Sequence, residues 1–124
     1  MAERARRDAD ALDVRAVAVL EAVRCGAPEA REAPDAEVQL DAAGLAAEPD
    51  AVLLRVVARA IAEVLGPETR PVRLERFEAR ILGDLRGALG RGAGLRMNLG
   101  GALLHLKGDG RLAVRREPPR RSGR

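Results

Sequence analysis

Apolar residues recur at three- and four-residue intervals in three stretches of the chain, as they do in helices that bury one face. The first stretch predicts a helix over residues 3–24, and the second predicts a helix over residues 50–65. The third predicts a helix over residues 71–88. Glycine and proline follow the first two stretches closely, which is a typical stop signal for a helix.

The second predicted helix has the clearest apolar stripe. Its expected buried positions are Leu53, Val56, Val57, Ala60, Ile61 and Val64. Arg55 and Arg59 fall together on another side of the same helix. Arg59 and Glu63 are four residues apart, a spacing at which opposite charges can simply pair on the helix surface.

Apolar and polar residues alternate near the C-terminus, with the two-residue period of a β-strand. Residues 102–106 and 112–114 form the two arms of a predicted hairpin, and the Gly-Asp-Gly of residues 108–110 supplies the turn. A shorter extended piece is predicted at residues 38–40. Asp41 follows it as a plausible N-cap for a short helix.

These patterns predict a mostly α protein with a small C-terminal β-hairpin, an α+β class whose helical part resembles a bundle. Residues 1–94 form the helical region, residues 95–118 the hairpin and residues 119–124 a disordered basic tail. A length of 124 residues fits one modest domain. Phe77 is the only aromatic residue, so the core must be built from Leu, Val, Ile and Ala.

Charge is unevenly distributed along the chain. The first half, residues 1–50, carries 6 basic and 12 acidic residues, and residues 51–124 carry 16 basic and 7 acidic ones, which together give the net charge of +3. A basic half of this kind suggests a polyanionic partner such as nucleic acid. The alternative is a solvated surface, since arginine, alanine and glycine are also what a GC-rich genome encodes.

No active site is evident among the reactive side chains. Cys25 and His105 are the only cysteine and the only histidine, so neither a disulfide nor a typical metal cluster can form. Ser122 is the only serine and lies in the tail. The Gly100-Gly101 pair precedes a predicted strand rather than a helix, which is the wrong context for a phosphate-binding loop and favours a bulge or tight crossing.

The chain shows no targeting or membrane signal. Charged and apolar residues are mixed throughout the first 25 positions, unlike the apolar core of a signal peptide. No apolar run is long enough to span a membrane. We therefore predict a cytoplasmic protein with no membrane partner.

Three segments in order resemble the region that follows the catalytic domain in bacterial tRNA(Ile)-lysidine synthases. They are 52-VLLRVVARAIAEVLG-66, 70-RPVRLERFEARILGDL-85 and 98-NLGGALLHLKGDGRLAVRREP-118. Members of that family show an arginine-containing helix, a PR-x-x-R-x-E-x-L helix, a TLGGC-type turn into a strand and a closing RE or REP. Asn98 replaces the usual threonine of this turn and Ala102 the usual cysteine. The initial segment RRDADALDVRAVAVL is similar to the family's preceding helices.

The resemblance implies a role in tRNA modification. Enzymes of that family use ATP to activate the wobble cytidine of an isoleucine tRNA, and lysine then attacks the adenylate to give lysidine. Their ATP site is a Ser-Gly-Gly-x-Asp-Ser loop, which this sequence does not contain. This chain is therefore expected to hold no cofactor of its own and to be inactive alone, with ATP bound on a separate catalytic domain.

By the same resemblance, the helical and C-terminal parts help to hold tRNA. The candidate RNA-binding residues here are Arg55, Arg59, Arg70, Arg73, Arg76, Arg96, Arg115 and Arg116. Arginine suits this task because its planar guanidinium donates two parallel bonds to a phosphate. Such contacts position RNA without reading its sequence, and their strength falls steeply with salt.

A second interpretation needs no RNA. The chain would be a non-catalytic helical module that binds a protein partner, or itself, through apolar helix faces, or else a fragment of a degraded gene. A salt-sensitive complex with tRNA favours the first interpretation. Self-association in the absence of RNA binding favours the second.

Overall fold

The computed structural model describes residues 2–25, 37–66, 82–91, 94–106 and 108–117, with the side chains of the first helix from Asp10 onward. Four helices and five strands lie in these ranges. The helices are α1 (Ala2–Val23), α2 (Ala42–Ala46), α3 (Asp50–Leu65) and α4 (Leu82–Arg91). The strands are β1 (Arg24–Cys25), β2 (Glu37–Asp41), β3 (Leu95–Leu99), β4 (Ala102–Leu106) and β5 (Arg111–Arg116).

All five strands belong to one antiparallel sheet, in the order β1-β2-β5-β4-β3. The last strand along the chain, β5, therefore lies in the middle of the sheet. Its neighbours are β4, which precedes it directly, and β2, in which Gln39 pairs with Ala113. The sheet thus joins β1 and β2, which follow α1, to the three strands near the C-terminus.

The described helices form a layer on one face of the sheet. Helix α3 packs against β2, β4 and β5, while α1 packs on α3 and α4 contacts the edge strand β3. The core lies between these two layers. Its sheet residues are Val38, Leu40, Leu95, Ala102, Leu104, Leu106, Leu112 and Val114. We call this the inner face of the sheet and the opposite one the outer face.

The apolar stripe of α3 explains why this helix is central to the core. Five of the six expected positions are buried, and the sixth, Val64, is half-buried and packs against the core. Burial of leucine, isoleucine or valine contributes about 1.5–3 kcal/mol for each side chain. Helix α3 therefore supplies much of the apolar area that a core without described aromatic rings requires.

The α+β fold class is confirmed, but the sheet is larger than the hairpin that the sequence predicted. The predicted arms of residues 102–106 and 112–114 lie in β4 and β5. Two further neighbours, β2 and β3, flank them, and β1 completes the sheet. Local alternation shows that a segment is extended but does not identify its distant partner. Residues 67–81, which include most of the third predicted helix, and the tail at 119–124 lie outside the described residues.

Asp41 occupies the N-cap position of α2 with an extended backbone, but its side chain makes no capping hydrogen bond. The main-chain N–H of Ala42 instead donates to the main-chain oxygen of Gly110, at 3.0 Å. The turn between β4 and β5 thus supplies an acceptor for one of the main-chain N–H groups at the start of α2, which have no partner within the helix.

Candidate nucleic-acid interface

The Asn98-Leu99-Gly100-Gly101 motif is a tight turn between β3 and β4. Leu99 pairs with Ala102, so the two glycines form a two-residue loop, with φ of 61° and 94°. Both angles lie in the left-handed region, which glycine adopts at little cost and which turns of this hairpin type require. The motif therefore fixes backbone geometry and supplies no chemical group.

The same turn is tied to the segment that ends β5. The amide Nδ2 of Asn98 donates to the carboxylate of Glu117 at 2.9 Å, and the main-chain N–H of Glu117 donates to the main-chain oxygen of Gly101, also at 2.9 Å. Glu117, in the Arg-Glu motif at the end of the third family-like segment, thus stabilises the turn at the start of that segment.

Arg116 points to the inner face and holds the end of α3. Its Nη2 donates to the main-chain oxygen of Leu65 at 2.8 Å. A guanidinium at a helix C-terminus also interacts favourably with the helix dipole. This candidate RNA-binding residue therefore has a structural partner within the fold.

Four arginines, three on helices and Arg24 on β1, form ion pairs between elements. Arg55 of α3 binds Asp13 of α1, with 3.2 Å between Nε and Oδ1, and it also donates to the main-chain oxygen of Ala51. The remaining pairs of this kind are Arg15–Glu48 at 3.1 Å, Arg24–Glu63 at 2.8 Å and Arg86–Asp50 at 2.8 Å. These guanidinium groups connect helices and loops that are distant in the sequence.

The pair of Arg24 with Glu63 is the most buried of them. The Arg24 side chain is only 8% exposed, and both of its terminal nitrogens donate to the Glu63 carboxylate, at 2.9 and 2.8 Å. Its Nε is buried without a partner. The hydrogen bond with Glu63 raises the pKa of Arg24, although desolvation acts in the opposite direction. The group is thus held in its charged form.

The Arg24–Glu63 pair determines whether Arg59 has an ion-pair partner. The sequence allowed Arg59 to pair with Glu63, but the Glu63 carboxylate is bound by Arg24 from β1. Arg59 is exposed on α3, and no ion pair involves it within the described part of the chain. It keeps an available guanidinium.

Arginines of the outer sheet face differ from those of the helices. Arg96 on β3 and both Arg111 and Arg115 on β5 are exposed. None of the three forms an ion pair with a described carboxylate. The Arg111 guanidinium donates a 3.4 Å hydrogen bond to the side-chain oxygen of Gln39. These cations are therefore available to an external anion.

Strand register brings these side chains to one surface. Arg96 pairs with His105, and His105 pairs with Ala113. Because alternate residues of a strand point to the same side, Arg111 and Arg115 lie on either side of Ala113 and face outward with it. Arg96, Arg111 and Arg115 thus share the outer face, but Leu103 and Ala113 on the same face are only 3% and 5% exposed, so the three arginines do not form one continuous exposed surface.

The eight sequence candidates fall into distinct environments. Arg55 and Arg116 bind groups of the fold, and Arg59 is exposed on the helical layer. Arg96 and Arg115 lie together on the outer face. The other three, Arg70, Arg73 and Arg76, are outside the described residues. Arg111 was not among the candidates, although its alternation with Ala113 and Arg115 carried the signal.

Other chemistry is limited in the described ranges. No three His, Cys, Asp or Glu side chains there come close enough to hold a metal ion. Cys25 is half-buried, and its thiol lies 3.5 Å from the main-chain oxygen of Val23. Within the same ranges, no helix combines the length and apolar character needed to cross a membrane.

Two curated proteins are similar to almost the whole chain. The tRNA(Ile)-lysidine synthase of Methylobacterium nodulans is 51% identical over 123 residues, which is 99% of this chain but 34% of the relative. The tRNA(Ile)-lysidine synthase of Methylobacterium sp. strain 4-46 is 49% identical over 121 residues, 98% of this chain and 33% of the relative.

No protein-family profile matches the chain, and no solved structure matches it either. The chain spans about a third of the length of the curated relatives. The resemblance drawn from the motifs is nevertheless confirmed, since this chain is homologous along nearly all its length to one third of a tRNA(Ile)-lysidine synthase.

Proposed function

We propose that this chain is a tRNA-contacting, non-catalytic part of a tRNA(Ile)-lysidine synthase activity. The observation that carries the proposal is the identity of 51% and 49% with two such synthases along almost the entire chain. The fold supports it with exposed arginines that bind no described carboxylate, because such groups suit phosphate. The proposed partner is an isoleucine tRNA, which implies a cytoplasmic location.

In this proposal the adenylation chemistry belongs to another polypeptide or domain. The sequence contains no Ser-Gly-Gly-x-Asp-Ser loop to bind ATP. The chain would hold the tRNA while a catalytic domain activates the wobble cytidine and admits lysine. Purified protein with tRNA, ATP and lysine should therefore release no AMP and form no lysidine. Formation of lysidine by the chain alone would overturn the non-catalytic assignment.

The binding test is a titration of tRNA with the purified chain at several salt concentrations. We expect a complex at low salt, and the logarithm of its association constant should fall linearly with the logarithm of the salt concentration, because phosphate contacts release counterions. Absence of any complex with tRNA at low salt would contradict the proposal. A complex that persists unchanged at high salt would contradict the arginine-phosphate mechanism.

A second candidate function is supported by a separate observation. Val14 and Val17 of α1 are 70% and 44% exposed, the two exposed large apolar residues of the described chain. An apolar helix face of this kind can pack on a protein partner, including a second copy. Sedimentation at rising protein concentration tests this function. Self-association that Val14→Ser abolishes, without tRNA binding, would favour it over the first.

A further inference from the structure

Strand β3 forms one border of the sheet, and within the described chain only β4 pairs with it. No described strand binds the main-chain groups on its other side, which we call the free edge. An edge of this kind is a template for a further strand, and many proteins protect it with proline. Residues 95–99 contain no proline and pair with β4 along their whole length. The free edge of β3 is therefore suited to strand addition.

The hydrogen bonds near the turn between β3 and β4 show which main-chain groups of β3 face β4. The N–H of Glu117 donates to the main-chain oxygen of Gly101 at 2.9 Å, so Gly101 directs its main-chain groups toward β5. Successive residues of an antiparallel strand direct these groups to opposite sides. Ala102 therefore directs its N–H and C=O toward β3, where Leu99 is its partner. Leu99 and every second residue before it consequently face β4.

The intervening residues, Arg96 and Asn98, direct their main-chain N–H and C=O groups to the free edge. An antiparallel pair of β3 strands about a two-fold axis centred on Met97 places Arg96 of each copy opposite Asn98 of the other. Each of these pairs then exchanges both of its main-chain hydrogen bonds. A pair centred on Arg96 would instead set like charges opposite each other, which is destabilising. A pair centred on Asn98 would oppose Arg96 to Gly100, outside the strand.

The inner side of β3 is self-complementary in the register centred on Met97. Met97 and Leu99 pack against the core but remain only half-buried. In this register Met97 meets Met97 of the second copy, and Leu99 lies opposite Leu95. Apolar side chains that meet across strands stabilise the pairing and lose exposed area. Pairing of two copies would thus cover the apolar residues that the fold leaves partly exposed at this border.

The outer side of β3 has complementary charges in the same register. Asn98 donates to the Glu117 carboxylate at 2.9 Å, and no described cation forms an ion pair with Glu117. Arg96 likewise has no described carboxylate as a partner. Opposite residues of a hydrogen-bonded antiparallel pair have Cα atoms about 5.5 Å apart. Arg96 of one copy would therefore lie beside Asn98 of the other, within reach of the carboxylate that Asn98 holds.

We propose that the free edge of β3 pairs with β3 of a second copy of this chain, antiparallel and centred on Met97. The occupant is a second copy because apolar, hydrogen-bonding and charged positions of the strand each complement the strand itself. This surface differs from the exposed Val14 and Val17 of α1, and the proposal does not depend on the tRNA-binding function. One five-residue strand from each copy is a small contact, which is typical of weak, reversible complexes.

The first test measures self-association by sedimentation velocity at rising protein concentration, without RNA. Arg96→Pro removes a main-chain N–H that faces the free edge, where a strand tolerates proline because no bond to β4 is lost. We expect the dimer to weaken at least about tenfold, with a protein that thermal melting shows to be folded. Arg115→Ala is the control, since it removes an exposed arginine from the central strand β5. It should change association by less than about threefold.

The second test exchanges charges between the copies. Arg96→Glu alone brings two carboxylates together at each contact between copies, and Glu117→Arg alone brings two guanidinium groups together. Each variant should therefore be mostly monomeric at a concentration where the unaltered chain is a dimer. In an equimolar mixture, every contact between one variant and the other again joins an arginine to a glutamate, so the dimer should return. Mixing does not repair a folding defect, so recovery separates an intermolecular contact from a structural role.

Weakening by Arg96→Pro together with recovery in the mixture is the expected result. A chain that stays monomeric at every concentration would overturn the proposal. A dimer that Arg96→Pro leaves unchanged and Val14→Ser abolishes would also overturn it, because the contact then belongs to α1. A dimer that mixing of the charge variants does not restore would contradict the register centred on Met97. These outcomes do not involve tRNA, so the proposed function is judged separately by the tRNA titration.

Discussion

Arg116 and Leu65 are 51 residues apart in the chain and are joined by a hydrogen bond of 2.8 Å from the guanidinium to the main-chain oxygen. The bond connects the end of the central strand to the end of the helix that packs on it. Gly101 lies beside this junction, since a Cβ added at its position would be 3.7 Å from the Leu65 side chain. The C-terminal end of α3 is thus held by the end of β5.

Replacement of Arg116 should therefore reduce stability more than RNA affinity. Arg116→Ala removes a charged donor from a partly buried carbonyl, and we expect a loss of about 1 kcal/mol in the free energy of unfolding. Urea denaturation measures this loss. Arg115→Ala is the matched control, since Arg115 is exposed and should change stability by less than about 0.5 kcal/mol. Equal stability of the two variants would argue against the junction.

Arg55 and Arg59 provide a second comparison, one helical turn apart on α3. The Arg55 side chain is 21% exposed and bound to Asp13, so Arg55→Ala should destabilise the fold by about 1 kcal/mol and leave tRNA affinity nearly unchanged. Arg59→Ala should leave the melting temperature unchanged. Titration with tRNA and thermal melting of both variants test this. A stable Arg55→Ala protein with weakened tRNA binding would restore Arg55 as a contact residue.

The buried pair of Arg24 and Glu63 predicts a larger effect. Glu63→Ala leaves a guanidinium that is 8% exposed and whose remaining ion-pair partner among the described residues is Glu21, at 3.4 Å. We expect a cost of about 2 kcal/mol, below the range for a fully buried pair because Glu63 is 39% exposed. Arg15→Ala, at an exposed pair, should cost less than about 1 kcal/mol. Denaturation curves of the two variants decide whether burial makes this difference.

The pH dependence of the stabilisation by the Arg24–Glu63 pair follows from the direction in which the pKa of Arg24 is shifted. The pKa of Arg24 is raised in the folded protein by its hydrogen bond with Glu63. A raised pKa stabilises the fold below the pKa of the unfolded group, and the contribution is lost only as pH rises through the arginine range. The difference between wild type and Glu63→Ala should therefore be constant from neutral to mildly alkaline pH. A marked change within that interval would contradict the assignment.

Two glycines in helices should respond oppositely to the same substitution. A Cβ at Gly44 in α2 would lie 2.6 Å from Cγ1 of Val23, so Gly44→Ala should destabilise the protein by about 1–3 kcal/mol. A Cβ at Gly87 in α4 would meet only the flexible end of Arg91, at 3.4 Å. Gly87→Ala should stabilise the protein by about 0.5–1 kcal/mol through helix propensity. Opposite shifts in melting temperature are the expected result.

Periodicity predicts which side of an element is buried, and here it did so for the stripe of α3. In β4 and β5 the alternation identified the inner residues, but Leu103 and Ala113 on the opposite side are buried as well. It cannot predict partners that are distant in the sequence. The pairing of Gln39 with Ala113 joins segments more than seventy positions apart, and the residue pattern within either segment does not indicate which strand it pairs with. The sheet therefore has five strands where local patterns indicated a two-stranded hairpin and one separate extended piece, residues 38–40, which lies in β2.

The site was predictable to a similar degree. Residue type and charge identified arginines as candidates, and two of them, Arg96 and Arg115, share the outer face. Composition could not reveal that Arg55 is bound by Asp13, because that contact depends on how α1 packs on α3. It also could not reveal Arg111, whose position beside the other two follows from strand register.

The position of β5 in the middle of the sheet has a consequence for biosynthesis. On the ribosome, β2 and β4 emerge before the strand that separates them, so neither can form its pairing with β5 until residues 111–116 have left the exit tunnel. Until then the inner residues of both strands have no completed layer to cover them. A nascent chain stalled before these residues have left the tunnel should accordingly be an early target of chaperones and proteases, and emergence of β5 should end that exposure.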